Sequence, residues 1–433
     1  MSDFNLIKDP FARRSFITGA AKTMLGIGAM PMLSRLAAAA PAGPATKLGG
    51  KAKAVIYLYM GGGMSHLDTF DTKPGAETQG PVESIKTSAD GVMISEFFPT
   101  MAKQMHNVAV VNSMNSTQGA HAQGRYYMHT SYFQRGTIQH PDMGAWSSRM
   151  LEKSTRSLPS NVKIGGNSSG LGAGYFESEH SALPIGDPEA GLQYSKLFKG
   201  VTEDRFAARL KKLNNMNAGF TKKFDIKQAR AYASMYDEAV ALMKSEDLAV
   251  FDLTQEKKEV RQRYGLGRFG QGCLLARRLV ENGVRFIEVS DGGWDTHGNN
   301  FKRVAEKGAV LDQAMGALLA DLESSGLLES TLVVLATEFG RTPKIHTERE
   351  NGRNHYPQAF SCLLAGGGIK GGIKYGKTDD EGREVVEDQV GVTDFNATIA
   401  TCMGIPLTKK VVSPSGRPFT VADKGNVVAE LLS

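Results

Sequence analysis

The sequence predicts an α/β protein with a mostly parallel central sheet flanked by helices. Three observations predict it: short apolar runs bounded by turn residues, an amphipathic helical segment between two of them, and polar clusters that begin where the runs end. A strand, helix, strand succession implies a crossover connection, and crossovers join parallel strands.

The first run is residues 54–60 (AVIYLYM), too short for a helix and rich in β-branched and aromatic side chains. Residues 108–111, 285–290, 331–336 and 361–365 follow the same pattern and are read as buried strands. Between the third and fourth lies 304–325, where Val304, Leu311, Leu318 and Leu322 recur at helical spacing and Gly326 supplies a stop. Residues 193–258 differ: rich in Lys, Glu, Ala and Met and poor in strand signals, they are read as a helical insertion with solvated charges.

Composition narrows the function classes. With 41% hydrophobic and 22% charged residues over 433, the chain is a folded globular protein, and its 49 glycines show no repeat that would make it fibrous. The net charge of +6 is partly N-terminal: residues 1–40 carry five bases and two acids, leaving 46 bases against 43 acids beyond them. That balance argues against a nucleic-acid partner, which requires a concentrated basic patch. The aromatic stretch from Arg125 to Tyr132 is read as helix packing. Cys273, Cys362 and Cys402 have neither disulfide nor zinc spacing and read as small buried apolar residues. No glycine run matches a phosphate loop or a dinucleotide fingerprint, which argues against ATP and NAD.

The N-terminus reads as an address. Arg13-Arg14 is followed by an apolar pair, a weakly apolar run, four alanines ending at Ala40 and a Pro/Gly stretch. This order predicts a twin-arginine (Tat) export signal over residues 1–40, a linker over 41–53, and a mature domain over 54–433 in the periplasm or secreted. The expected partner of this segment is the Tat machinery, with no integral membrane segment after processing.

Four polar clusters sit at strand boundaries. They contain His66 and Asp68 after the first run; Asp295 and His297 after the third; Glu338 and Arg341 after the fourth; and Arg353, Asn354 and His355 before the fifth. In a parallel sheet, chemistry gathers beyond the C-terminal strand ends. Separate segments bringing carboxylate and imidazole to one edge suit a divalent ion held by oxygen and nitrogen. Each cluster also has a plainer reading. Asp295 and His297 can form a hydrogen-bonded loop, Glu338 can pair with Arg341, Asp68 can make Asx-type bonds, and His355 can bond backbone.

The motifs GGGMSHLDTFDTKPG, YGLGRFGQGCLLARRLVENGVRFIEV, GGWDTHGNN, TLVVLATEFGRTP and NGRNHYP resemble an exported bacterial family, domain of unknown function 1501, over essentially the whole mature chain. That family is similar to the alkaline phosphatase and sulfatase superfamily. The resemblance implies an alkaline phosphatase-like fold, with 361–365 and 394–405 as late strand and closing helix. It further implies a metal-dependent hydrolase of phosphate or sulfate esters, with an anionic ester substrate as the partner of the mature chain, using Zn, Mn, Ca or Mg held by Asp68, Asp295, His297, Glu338 and His355, with Arg341 and Arg353 clamping the anionic group. Glu338-Phe339 stands where relatives carry Asp-His, and Asp68 is displaced from the usual first-strand position. No formylglycine motif is present, which argues against that type of sulfatase. The superfamily's nucleophile follows the second strand; here that segment supplies Ser116, Thr117 and His121. Thr117 is the expected nucleophile, with His121 as ligand, general acid or base, or nucleophile, while Ser116 and Thr117 also read as helix caps. The alternative is a degenerate relative acting as an exported binding or structural module.

Overall fold

The computed structural model describes residues 50–155, 157–166, 171–193, 195–223 and 237–433; the expected export signal, the linker up to residue 49 and part of the expected insertion lie outside the described residues. Among the described residues the main sheet has nine strands: β1 (Ala54–Met60), β2 (Val108–Asn115), β3 (Asn161–Ile164), β4 (Leu183–Ile185), β5 (Phe286–Asp291), β6 (Thr331–Ala336), β7 (Phe360–Ala365), β8 (Ile373–Tyr375) and β9 (Val390–Gly391). Their order is β8-β2-β7-β6-β1-β5-β3-β4, and β9 also pairs with β2. Every pairing is parallel except those of β7, which runs antiparallel to β2 and β6.

The seven residues of β1 are all buried because both faces of the sheet are covered. Ile56, Leu58 and Met60 point into one core, packed with Cys273 and Leu274 of α5 (Arg268–Glu281) and Leu311, Leu318 and Leu322 of α6 (Asn300–Ser324). Val55, Tyr57 and Tyr59 point into the other, with Met128 of α1 (His121–Thr130), Trp146 of α2 (Met143–Met150) and Phe395 and Ile399 of α7 (Val392–Cys402). The period-2 alternation of one strand thus feeds two cores. α3 (Glu203–Lys223) lies within the stretch composed for helix, and α4 (Lys258–Tyr264) adjoins it. Among the described residues no helix is long and apolar enough to cross a membrane.

All three cysteines are free and buried. The second strand runs to Asn115, past the expected 111. Three of its four added residues are polar, but Asn112 and Ser113 are buried and hydrogen-bonded. α6 begins at Asn300, four residues before the expected start, because the Asn300 side chain is buried between Thr296 and Asp68.

Register sets the site. Tyr59 of β1 pairs with Ser290 of β5 and with Ala336 of β6, so the loops after these strands leave the sheet side by side. Because β7 is antiparallel, residues that precede it share that edge. This is how His355, before a strand, joins residues that follow strands.

Candidate metal centre

The loop after β1 turns on Gly62, whose φ of 123° and proximity to the Asp295 backbone leave no room for a side chain. Its N–H donates to Glu338 Oε1 at 2.8 Å, and its carbonyl accepts from Arg341. Glu338, two residues beyond β6, is buried and also accepts from Tyr59 OH at 2.8 Å. Burial alone would raise its carboxyl, but the bonds from His121, Tyr59 and Gly62 hold it below the usual value.

His121 is the first residue of α1, and its Nδ1 lies 2.8 Å from Glu338 Oε1. The bond to Glu338 raises the imidazole above its ordinary value while burial opposes it. In the neutral ring with Nδ1 donating, Nε2 presents a lone pair; it sits 3.3 Å from Asp295 Oδ2 without a hydrogen-bond partner. His355 repeats the pattern: Nδ1 faces the Gly119 carbonyl at 2.8 Å, and Nε2 lies 3.5 Å from Asp295 Oδ1. His297 repeats it again, with Nδ1 3.0 Å from Asn354 Oδ1 and Nε2 3.1 Å from Asp295 Oδ1 and 3.0 Å from His355 Nε2. Three imidazoles are therefore anchored outward through Nδ1, and their Nε2 atoms converge on one carboxylate.

Lone pairs aimed at a carboxylate and at each other repel unless a cation lies among them. This donor set fits a divalent ion, and Glu338, Asn354 and the Gly119 carbonyl are the outer partners that such ligands need. Ligand atoms of His121, Asp295 and His355 all lie within 4.8 Å of one another. Asp295 is 43% exposed, so the group is open to a ligand from solvent.

Arg341 is wholly buried, and each of its three nitrogens is hydrogen-bonded within the protein. Its guanidinium donates to the carbonyls of Gly62, Gly63 and Arg353 and to Asp295 Oδ1 at 2.5 Å. Burial would raise the Asp295 carboxyl, but Arg341, then His121 and His297, bring it below its usual value. Arg341 thus ties the β1 loop to Asp295, with no donor directed at solvent as an anion clamp would need.

Asp68 and Arg353 are both fully buried and spend their charges on each other. Arg353 Nη2 donates to Oδ1 at 3.0 Å, and Nε lies 2.9 Å from Oδ2, to which Asn300 also donates. The structure therefore does not bring Asp68 to the imidazole group. Ser116 and Thr117 lie in the loop between β2 and α1. Neither caps the helix, whose N-cap is Ala120. Ser116 is buried and its Oγ accepts from the Gln118 N–H, while Thr117 is exposed and its Oγ1 accepts from the Gln118 side chain.

A cleft of about 430 Å³ opens beside the group, lined among others by Tyr59, His121, Arg125, Glu288 and Asp295. Glu288 was missed in the sequence. It is a buried carboxylate in β5, 3.2 Å from Lys163 Nζ, which also bonds Asp142 at 2.9 Å. Burial opposes ionisation of Glu288, but Lys163 and then His129 hold its carboxyl far below its usual range. The available signal was a glutamate in the middle of an apolar strand, a position that demands a buried partner.

Several solved structures are similar in fold. The lipoteichoic acid synthase LtaP from Listeria monocytogenes matches 84% of this chain and 75% of its own, at 10% identity and a TM-score of 0.42. The PsFucS1 sulfatase from Pseudoalteromonas sp. matches 81% and 68%, at 13% identity and 0.38. An alkaline phosphatase from the Antarctic bacterium TAB5 matches 75% and 95%, at 12% identity and 0.32. No curated protein matches the chain in sequence. The family described as "Protein of unknown function (DUF1501)" matches residues 52–432, and the chain belongs to it.

Proposed function

We propose that the protein is an exported, metal-dependent hydrolase of phosphate or sulfate esters. The observation that carries this reading is the convergence of His121, His297 and His355 on Asp295, each imidazole held by an outer hydrogen bond. A divalent ion there supplies Lewis acidity toward an ester oxygen. Glu338 fixes the His121 ring, Arg341 fixes Asp295, and the two together keep the donor set organised before substrate arrives. Arg125 lines the cleft one helical turn after His121, which supports it as a contact for the anionic group, whereas Arg341 and Arg353 are buried.

His121 takes the ligand role of the three open to it. Thr117 is the exposed hydroxyl of its segment and remains the candidate nucleophile. Export by the twin-arginine route rests on Arg13 and Arg14 in the sequence. The rival reading, an exported binding module, is favoured by one observation: the hydrogen bonds of Ser116 and Thr117 run to Gln118 rather than to the imidazoles.

The test is to load the mature chain with Zn, Mn, Ca or Mg in turn and assay an aryl phosphate, a phosphodiester and an aryl sulfate. Turnover of at least one, abolished by chelation and restored by the ion, is expected. Full metal loading with no turnover of any class assigns the site to the binding module.

A further inference from the structure

A cavity of about 650 Å³ lies at the opposite end of α1 from His121, where Tyr127 and Ser131 contribute to its wall. α1 spans ten residues, which places the two sites about 15 Å apart along its axis. The cavity belongs to neither the imidazole group nor its cleft.

Its lining combines aromatic faces with cations. Phe133 is 47% exposed, and Phe419 meets Tyr132 edge-on with ring centroids 5.4 Å apart. Behind them Tyr132 stacks on His140 at 4.2 Å, and Tyr132 OH is anchored to the Thr420 carbonyl at 2.8 Å, so the aromatic wall is held in place before any ligand arrives. Four exposed cations line the same space: Arg135 from the loop after α1, Lys410 and Arg417 beside the hairpin of Val411–Val412 and Pro418–Phe419, and Lys424. Against them the lining supplies a single carboxylate, Asp423.

Like charges gathered around one cavity repel, and the repulsion is relieved by a ligand bearing several separated negative charges. The aromatic wall asks that the same ligand carry apolar ring faces. The volume falls within the range of small-molecule pockets. We propose that this cavity binds an anionic oligosaccharide, whose ring faces lie against Phe133 and Phe419 while its carboxylate or sulfate groups meet Arg135, Lys410, Arg417 and Lys424. A single-stranded nucleic acid fits less well, because Tyr132 already has a ring face covered by His140 and the cations line one pocket rather than a continuous track.

The proposal is independent of the metal-hydrolase reading, and the experiment separates them. Calorimetric titration of the full mature chain uses trigalacturonate, a sulfated trisaccharide, neutral maltotriose and a short single-stranded oligonucleotide. Saturable binding of at least one anionic saccharide is expected, at least tenfold tighter than maltotriose. It should weaken at least tenfold in the Arg417→Ala, Lys424→Ala double variant and in Phe133→Ala, and persist in Asp295→Ala. Absence of saturable binding by both anionic saccharides overturns the proposal. So does equal binding of maltotriose, tighter binding of the oligonucleotide, unchanged affinity in the cavity variants, or loss of binding in Asp295→Ala, which would move the ligand to the imidazole group.

Discussion

Glu338 Oε1 lies 2.8 Å from His121 Nδ1, and this contact decides which nitrogen of His121 faces Asp295. A carboxylate behind a histidine fixes its tautomer and raises its basicity toward an ion. Glu338→Gln keeps the shape and removes the charge. It should weaken metal affinity about 10- to 100-fold with the fold intact, the size usual for an outer partner. Metal titration of the purified variant checks this, and wild-type affinity would remove Glu338 from the centre.

Arg341 acts on the same centre through Asp295 and the Gly62–Gly63 backbone. Lysine carries the charge but lacks the planar fork that satisfies several acceptors at once. Arg341→Lys should therefore lose bound metal as well as thermal stability. A variant that keeps stoichiometric metal and only raises KM for an anionic substrate would restore the clamp role.

Asp68 and Arg353 form a structural pair. Removing one partner of a buried ion pair costs about 3–5 kcal/mol, because the other is left uncompensated. Asp68→Ala should show that loss in denaturant unfolding, while protein that remains folded keeps its metal. Metal loss with unchanged stability would instead make Asp68 a ligand.

Protons and metal compete for the Nε2 atoms. Glu338 raises the His121 imidazole above its ordinary value, so a proton competes with an ion more strongly there than at a free imidazole. Metal affinity should rise with pH across the neutral range, up to about tenfold per pH unit for each proton released. In metal-free protein the sign reverses. The pairing of protonated His121 with Glu338 stabilises the fold fully below the unfolded value of about 6.5, and is lost as pH rises through the raised folded value. Chelated and loaded protein should therefore show opposite slopes of stability against pH for this group. A flat affinity profile between about pH 6 and 8 would contradict the assignment of imidazole ligands.

Two core strands were legible in full because they are nearly continuous apolar runs: residues 54–60 and 331–336 match their predicted bounds. Asn161–Ile164 was not, since Lys163 interrupts its pattern and only the distant Asp142 and Glu288 make a buried lysine tolerable. The strand-boundary rule pointed to Asp295, His297, Glu338 and His355, which the structure brings to one edge of the sheet. It also swept in Asp68, because nothing local distinguishes a ligand from one half of a buried pair with Arg353. The outward anchors are the backbone carbonyl of Gly119 and the side chains of Asn354 and Glu338, the last itself held by Tyr59. They depend on which loops meet, which only the register of β1, β5, β6 and β7 determines.

The most direct measurement is the metal content of purified protein by elemental analysis, in wild type and in the Asp295→Ala, His355→Ala double variant. Wild type should hold at least one divalent ion per chain, taken up after chelation and reloading, and the folded double variant should hold none. Wild-type protein that takes up no ion, or a double variant that retains it in full, would contradict a metal centre at this edge of the sheet.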